Sequence, residues 1–152
     1  MSTGLHVLFK VADADYVVSA EDVLHMESFT GATKVPGTES HVVGVMQIRQ
    51  RVVPIIDLRR RFGLPDTATT LDTRVVVVES EARAVGLLVD SAREVVRIAA
   101  DAFEAPPSVV SERAHGFVVS LARTGERLVM LVDLQKIIGR APMGEERRNG
   151  DE

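Results

Sequence analysis

The chain has no cysteine and no tryptophan, and only one tyrosine and five phenylalanines among 152 residues. Without cysteine there is no disulfide framework, no thiolate zinc site and no cysteine nucleophile. With so few rings the core must be aliphatic. Apolar runs stop far short of the roughly 20 residues that cross a bilayer. The opening stretch MSTGLHVLFK lacks a basic region followed by an apolar one, so no secretory signal is expected. These absences fit a cytoplasmic protein with no membrane insertion. The chain carries 18 basic and 22 acidic residues, a formal charge of −4, which argues against general nucleic-acid binding.

Chemistry-bearing motifs are missing too. There is no GxSxG elbow, GxGxxG turn or Walker-type loop. The histidines stand at 6, 25, 41 and 115, with none at the i+3 or i+4 spacing of a helical metal pair. No metal, no cofactor and no enzymatic activity are expected. Asp57 and Asp133 are the carboxylates an enzyme would use, but no base, nucleophile or cofactor loop accompanies either.

What is present is valine, concentrated in runs such as Val75-Val76-Val77-Val78. β-Branched side chains favour strands. Strands are read at Leu5 to Val11, at YVVSA, in two pieces of VMQIRQRVVPIIDL, in RVVVVES and RAVGLLVDSAREVVRI, and in a hairpin about RTGE. Turns fall at DAD (13–15), SEA and Gly125, the last free to take positive φ. Ser40 is placed to cap a short helical turn over 41–43 ended by Gly44. Pro54 lacks an N–H, so its strand is expected at an edge or bulge. PDTATTLDT (65–73) reads as a polar linker and ADAFEAPPSVVSERAHG as an irregular crossover.

The chain repeats itself. RVVPIIDLRRRFG (51–63) matches RLVMLVDLQKIIG (127–139) at a spacing of 76: Arg51 with Arg127, Val53 with Val129, Asp57 with Asp133, Leu58 with Leu134, Gly63 with Gly139. A weaker match, YVVSAEDVLHM with VGLLVDSAREV, runs at a spacing of 69. A reactive site is rarely built twice with its charges changed, so Asp57 and Asp133 are read as helix N-caps, with Gly63 and Gly139 at the helix ends. Arg59-Arg60-Arg61 are read as solvated, one or two pairing with acidic neighbours. GVMQIR (44–49) is either a plain amphipathic strand or a contact surface with Arg49 as anchor beside exposed Met46 and Ile48. Two copies of many short strands, each closed by a short helix, imply an all-β fold with short helices: two small five-stranded β-barrels packed together.

The stretches GVMQIRQRVVPIIDLRRRFGL, VGLLVDSAREVVRI and RLVMLVDLQKII resemble the CheW family of bacterial chemotaxis adaptors. The resemblance covers about Leu5 to Gly139. It implies one CheW-like domain over 1–140, with intertwined barrels at roughly 15–75 and 76–134, terminal segments completing them, and a disordered charged tail at 141–152. It implies a non-enzymatic scaffold that bridges a CheA-type histidine kinase, through its regulatory domain, to the cytoplasmic domain of a chemoreceptor (methyl-accepting chemotaxis protein). Carried over by motif, the receptor groove includes Gly44, Val45, Arg49, Gly86 and Val95, with Val75 and Ala92, and the kinase-facing segment includes Val23, His25, Met26 and Glu27. Two departures stand out. His25 replaces the family's usual Glu, and N-L-R-G reads Gln47-Ile48-Arg49-Gln50. They motivate the alternative of an adaptor that engages receptors but couples weakly or not at all to the kinase. A small β-barrel nucleic-acid binder using the arginine run is a further alternative.

Overall fold

The computed structural model describes residues 4–113 and 116–139. His115 and the expected tail at 141–152 lie outside them. Ten strands and three short helices alternate in the order β1 (Leu5–Val11), β2 (Ala14–Ser19), β3 (Val23–Ser28), β4 (Val42–Ile48), β5 (Arg51–Asp57), α1 (Leu58–Arg61), β6 (Arg74–Ser80), β7 (Arg83–Val89), β8 (Ser91–Arg97), α2 (Ser108–Arg113), β9 (Val118–Thr124), β10 (Arg127–Val132) and α3 (Leu134–Ile138). They form two five-stranded sheets, ordered β8-β1-β2-β10-β9 and β3-β6-β7-β5-β4.

Read edge to edge, the two sheets correspond strand for strand, which is the repeat seen in three dimensions. In each, one antiparallel hairpin (β1–β2 or β6–β7) lies parallel to the last strand of a second hairpin, with β10 beside β2 and β5 beside β7. A single residue then links the chain leaving one edge strand to the opposite edge. Thr33, after β3, exchanges two backbone hydrogen bonds of 2.9 Å with Val45 of β4. Glu104, after β8, does the same with Leu121 of β9 at 2.8 Å. These bridges draw each sheet's edges toward closure and cover strands that would otherwise offer free backbone groups.

The edge strands are exchanged between the halves. The chain passes from β2 into β3 of the other sheet, and from β7 into β8 of the first. One sheet therefore draws on 5–19 and 91–132, the other on 23–89. A division at 75–76 would cut β6, which pairs with both β3 and β7. Local similarity could not reveal this, because strand exchange is a choice of partner.

Three apolar clusters follow from that topology. Met46, Ile48, Val53, Ile55, Val75 and Val77 fill one sheet's interior. Leu8, Val17, Ile98, Ala122 and Val129 fill the other's. The largest lies between them, where Val7, Phe9, Val11 and Tyr16 meet Val76, Val78, Val85 and Leu87. Alternate residues of Val75–Val78 thus point into an interior and into the seam, and all four are buried. Two-sided burial explains the unbroken valine run, since each buried side chain contributes about 1.5–3 kcal/mol.

Two local readings change. Residues 42–44 are strand, not helix, because Gly44 sits at a bulge between Val42 and Ile56 pairing and Ile55 pairing. At φ 145° a Cβ on Gly44 would lie 2.2 Å from the Thr33 carbonyl oxygen, so glycine is required by the closing bridge. Pro54 is not in an edge strand, since β5 lies between β7 and β4. The parallel ladder to β7 begins at Ile55, so the missing donor falls just before it.

Candidate functional site

The exchanged edges β3 and β8 carry most of the sequence-predicted partner residues, and they are built alike. On β8, Phe9 pairs with Ala92 and Leu8 with Glu94, leaving Arg93 as the extra residue of a bulge. On β3, Val23 pairs with Val78 and His25 with Val77, leaving Leu24 as the extra residue. Val23 and Ala92 are equivalent at the spacing of 69, as are Met26 and Val95. Each bulge turns two residues three apart onto the seam side, because their ladder partners belong to the seam cluster: Val78 and Val76 for β3, Phe9 and Val7 for β8. The outer member of each pair stays exposed, Met26 at 41% and Val95 at 56%.

His25 and Glu27 point the other way. Their partners Val77 and Val75 face the interior of their own sheet. The four residues expected to face a kinase therefore divide between the seam side (Val23, Met26) and the mouth of the sheet's interior (His25, Glu27). Glu27 does not stand alone there. Its carboxylate accepts from Arg49 Nε at 3.1 Å.

Arg49 occupies a two-residue turn with Gln50, closing the β4–β5 hairpin between Ile48 and Arg51. Both have positive φ, 51° and 71°. That geometry matches the twist of the hairpin and is usually supplied by Asn and Gly. The turn holds the Arg49 side chain, 65% exposed, beside β3. Met46 and Ile48 are interior core, so the plain amphipathic reading of this strand holds and the apolar neighbour exposed there is Val52, at 69%.

The receptor set is not one surface. Arg49 and Val95 are exposed and Val45 is half-buried. Ala92 lies in the seam core. Val75 is fully buried. Gly86 is buried against it: a Cβ there would lie 2.6 Å from both Val75 Cγ1 and Ile55 Cδ1. Gly44 is buried under the Thr33 bridge. Val75, Gly86 and Gly44 are buried and shape the sheet that carries the surface. Motif matching could not separate the two roles, because a residue that packs the sheet and one that contacts a partner recur in the same motif.

The arginine run is structural. Arg59 grips Asp90 with two bonds, Nε to Oδ1 at 3.0 Å and Nη2 to Oδ2 at 2.7 Å, and Asp90 also accepts the Ala12 N–H at 2.8 Å. The β1–β2 turn, α1 and the β7–β8 junction are thereby tied together. Arg60 reaches Asp66 at 3.2 Å and the Ser40 carbonyl at 3.1 Å. Arg61 lies over the Phe117 ring, 5.1 Å from its centre, and donates to the last carbonyls of α3. Acidic pairing was expected for one or two of them and is found at Arg59 and Arg60. Free solvation is not, and a phosphate-reading patch would first have to break these contacts.

Asp57 and Asp133 are N-caps, as read from the repeat. Asp57 accepts the Arg59 N–H at 2.9 Å and Asp133 the Lys136 N–H at 3.2 Å. Burial pushes the Asp57 carboxyl above its ordinary value, opposed by the backbone N–H groups it accepts and by Arg60. His41 is held below its ordinary value by burial and then by Arg61. Among the described residues no three histidine or carboxylate side chains are grouped to hold a metal ion, and no helix is long and apolar enough to cross a membrane.

Comparison with known proteins places this architecture. The model of the CheW-like domain matches residues 5–141. The chemotaxis protein CheW of Bacillus subtilis is 29% identical over 132 residues, covering 87% of this chain and 85% of that one. The chemotaxis protein CheW of Helicobacter pylori is 28% identical over 130 residues, covering 86% and 78%. The crystal structure of the scaffolding protein TtCheW from Thermoanaerobacter tengcongensis superposes with a TM-score of 0.82 at 29% identity, covering 88% of this chain and 91% of that one.

Proposed function

The chain belongs to the CheW-like domain family, and from that premise we propose that it bridges the cytoplasmic domain of a chemoreceptor to the regulatory domain of a CheA-type histidine kinase. Its role is that of a chemotaxis adaptor, a scaffold. It works in the cytoplasm and carries out no chemistry of its own; it fixes the relative position of two partners. Each interface can be weak, because assembly into a larger array supplies avidity.

One observation carries the receptor side of this reading. Arg49 is exposed on a two-residue turn and held by Glu27 at 3.1 Å. A receptor helix laid over the seam and reaching the mouth of the neighbouring sheet would set its apolar stripe against Val95 and Val45 and find in Arg49 a directional anchor. On the kinase side the exposed Leu24 and Met26 of β3 offer the apolar contact. Glu27 lies on the same strand face as His25, but its carboxylate is held by Arg49, so the kinase side of the reading rests on Leu24 and Met26.

Arg49→Glu tests the receptor side. The exposed Arg49–Glu27 pair contributes only about 0–1 kcal/mol to stability. The variant should therefore unfold near the parent's temperature while losing capture of a purified receptor cytoplasmic domain. Capture that survives in the folded variant would show that the seam is not the receptor site.

A further inference from the structure

The stretch at 65–73, before β6, looks polar in the sequence, yet it carries one large apolar side chain, Leu71. At 95% exposure Leu71 is the most exposed large apolar residue among those described. A single exposed leucine is ordinary. Three observations set this one apart.

First, its turn is pinned. The Thr73 N–H donates to the Thr70 carbonyl at 3.2 Å, the Thr70 N–H to Thr73 Oγ1 at 2.8 Å, and the Asp72 N–H to Thr70 Oγ1 at 3.0 Å. Arg74 Nη1 donates to the carbonyls of Leu71 and Thr73, both at 2.8 Å. Leu71 is thus held out to solvent by a preformed loop, so covering it costs little ordering.

Second, the turn sits between the two parts of the proposed receptor surface. Asp72 is paired with Arg93, the extra residue of the β8 bulge, two residues from Val95. On the other side Arg74 pairs in register with Ser28, the neighbour of Glu27, which holds Arg49. Behind the turn, Thr70, Asp72 and Thr73 help to line a cleft of about 530 Å³ shared with Arg93 and Glu94.

Third, the local charge has a direction. Asp72 is matched by Arg93, Glu27 by Arg49 and Glu94 by Arg127. Among the described residues, the Arg74 guanidinium donates only to carbonyl oxygens, those of Leu71 and Thr73. A partner segment with a carboxylate beside an apolar side chain complements this patch.

We propose that Leu71 is a contact residue for the receptor helix, covered by an apolar side chain of that helix while an acidic residue on the same helix meets Arg74. This rests on the seam reading above and adds to it a residue on a separate loop. The test measures binding of a purified receptor cytoplasmic domain to the parent, Leu71→Asp, Leu71→Met and Arg49→Glu. Leu71→Asp should weaken binding by about tenfold or more, Leu71→Met should bind within about twofold, and all should unfold near the parent's midpoint. Leu71→Ser, which adds no charge, replaces Leu71→Asp should the latter unfold early, and should weaken binding in the same direction. Parent-like binding by Leu71→Asp, with binding lost in Arg49→Glu, would overturn the role of Leu71 and leave the seam reading standing. Parent-like binding by both would overturn the two together.

Discussion

Arg61 and Ile137 occupy matching positions of the repeat, 76 residues apart, and Arg61 Nε donates to the Ile137 carbonyl at 2.9 Å. Arg61 Nη2 reaches the neighbouring Lys136 carbonyl at 2.8 Å. One copy thus caps the helix end of the other. The two helices meet across the seam, and the arginine fills carbonyl valences that a helix C-terminus leaves open.

Arg61→Ala should therefore destabilise the protein by about 1–3 kcal/mol, from lost charge-assisted bonds and the lost contact with Phe117. Arg61→Lys should recover only part, because an ammonium cannot span two carbonyls and stack on a ring. Urea unfolding of both variants checks this. An alanine variant as stable as the parent would mean the arginine is solvated after all.

Asp57 combines a useful hydrogen bond with an unfavourable burial. Asp57→Ala should cost about 1 kcal/mol. Asn caps equally well and carries no charge to desolvate, so Asp57→Asn should be at least as stable as the parent at neutral pH. The folded carboxyl titrates above its ordinary value of 3.8, so the folded state holds this proton more tightly. Its contribution to stability is present below that value and lost as pH rises through the raised one. The advantage of Asp57→Asn over the parent should accordingly grow as pH rises through this acidic window and then level off. Thermal unfolding across the window measures it.

Gly86 tests whether a motif residue is core or contact. Its missing Cβ leaves room for Val75 and Ile55. Gly86→Ala should destabilise by about 1–3 kcal/mol through overpacking, with receptor binding kept at temperatures where the variant is folded. Lost binding without lost stability would return Gly86 to the partner surface.

Gln50 stands in the left-handed region, where an L side chain is disfavoured by about 1–2 kcal/mol. Gln50→Gly should raise stability by about 0.5–1 kcal/mol, the remainder being offset by the freer unfolded chain. Chemical denaturation resolves a change of that size.

Much of this was legible in the residues because it is local. Asp57 and Asp133 follow strands and precede short helices that open with leucine, and both cap as read. Gly125 takes the φ of 64° that its hairpin needs. The spacing of 69 had already paired Met26 with Val95. What stayed hidden is the choice of neighbours. β3 and β8 resemble each other in sequence, but nothing in either says that it joins the other half's sheet. His41-Val42-Val43-Gly44 looks like a capped helical turn because a bulge glycine and a helix-ending glycine are the same letter. A motif records which positions recur, not which way they face, and so it groups the buried Val75 and Gly86 with the exposed Arg49 and Val95. In the sequence Leu71 is one apolar letter in a polar linker, and only the pinned turn gives it meaning.

Size-exclusion chromatography of the chain mixed with a purified receptor cytoplasmic domain and a purified kinase regulatory domain bears most directly on the adaptor role. At loading concentrations high enough to populate weak interfaces, a bridging adaptor gives a peak containing all three, formed only when this chain is present. Receptor and kinase domains that elute unchanged, with this chain bound to neither, would contradict it.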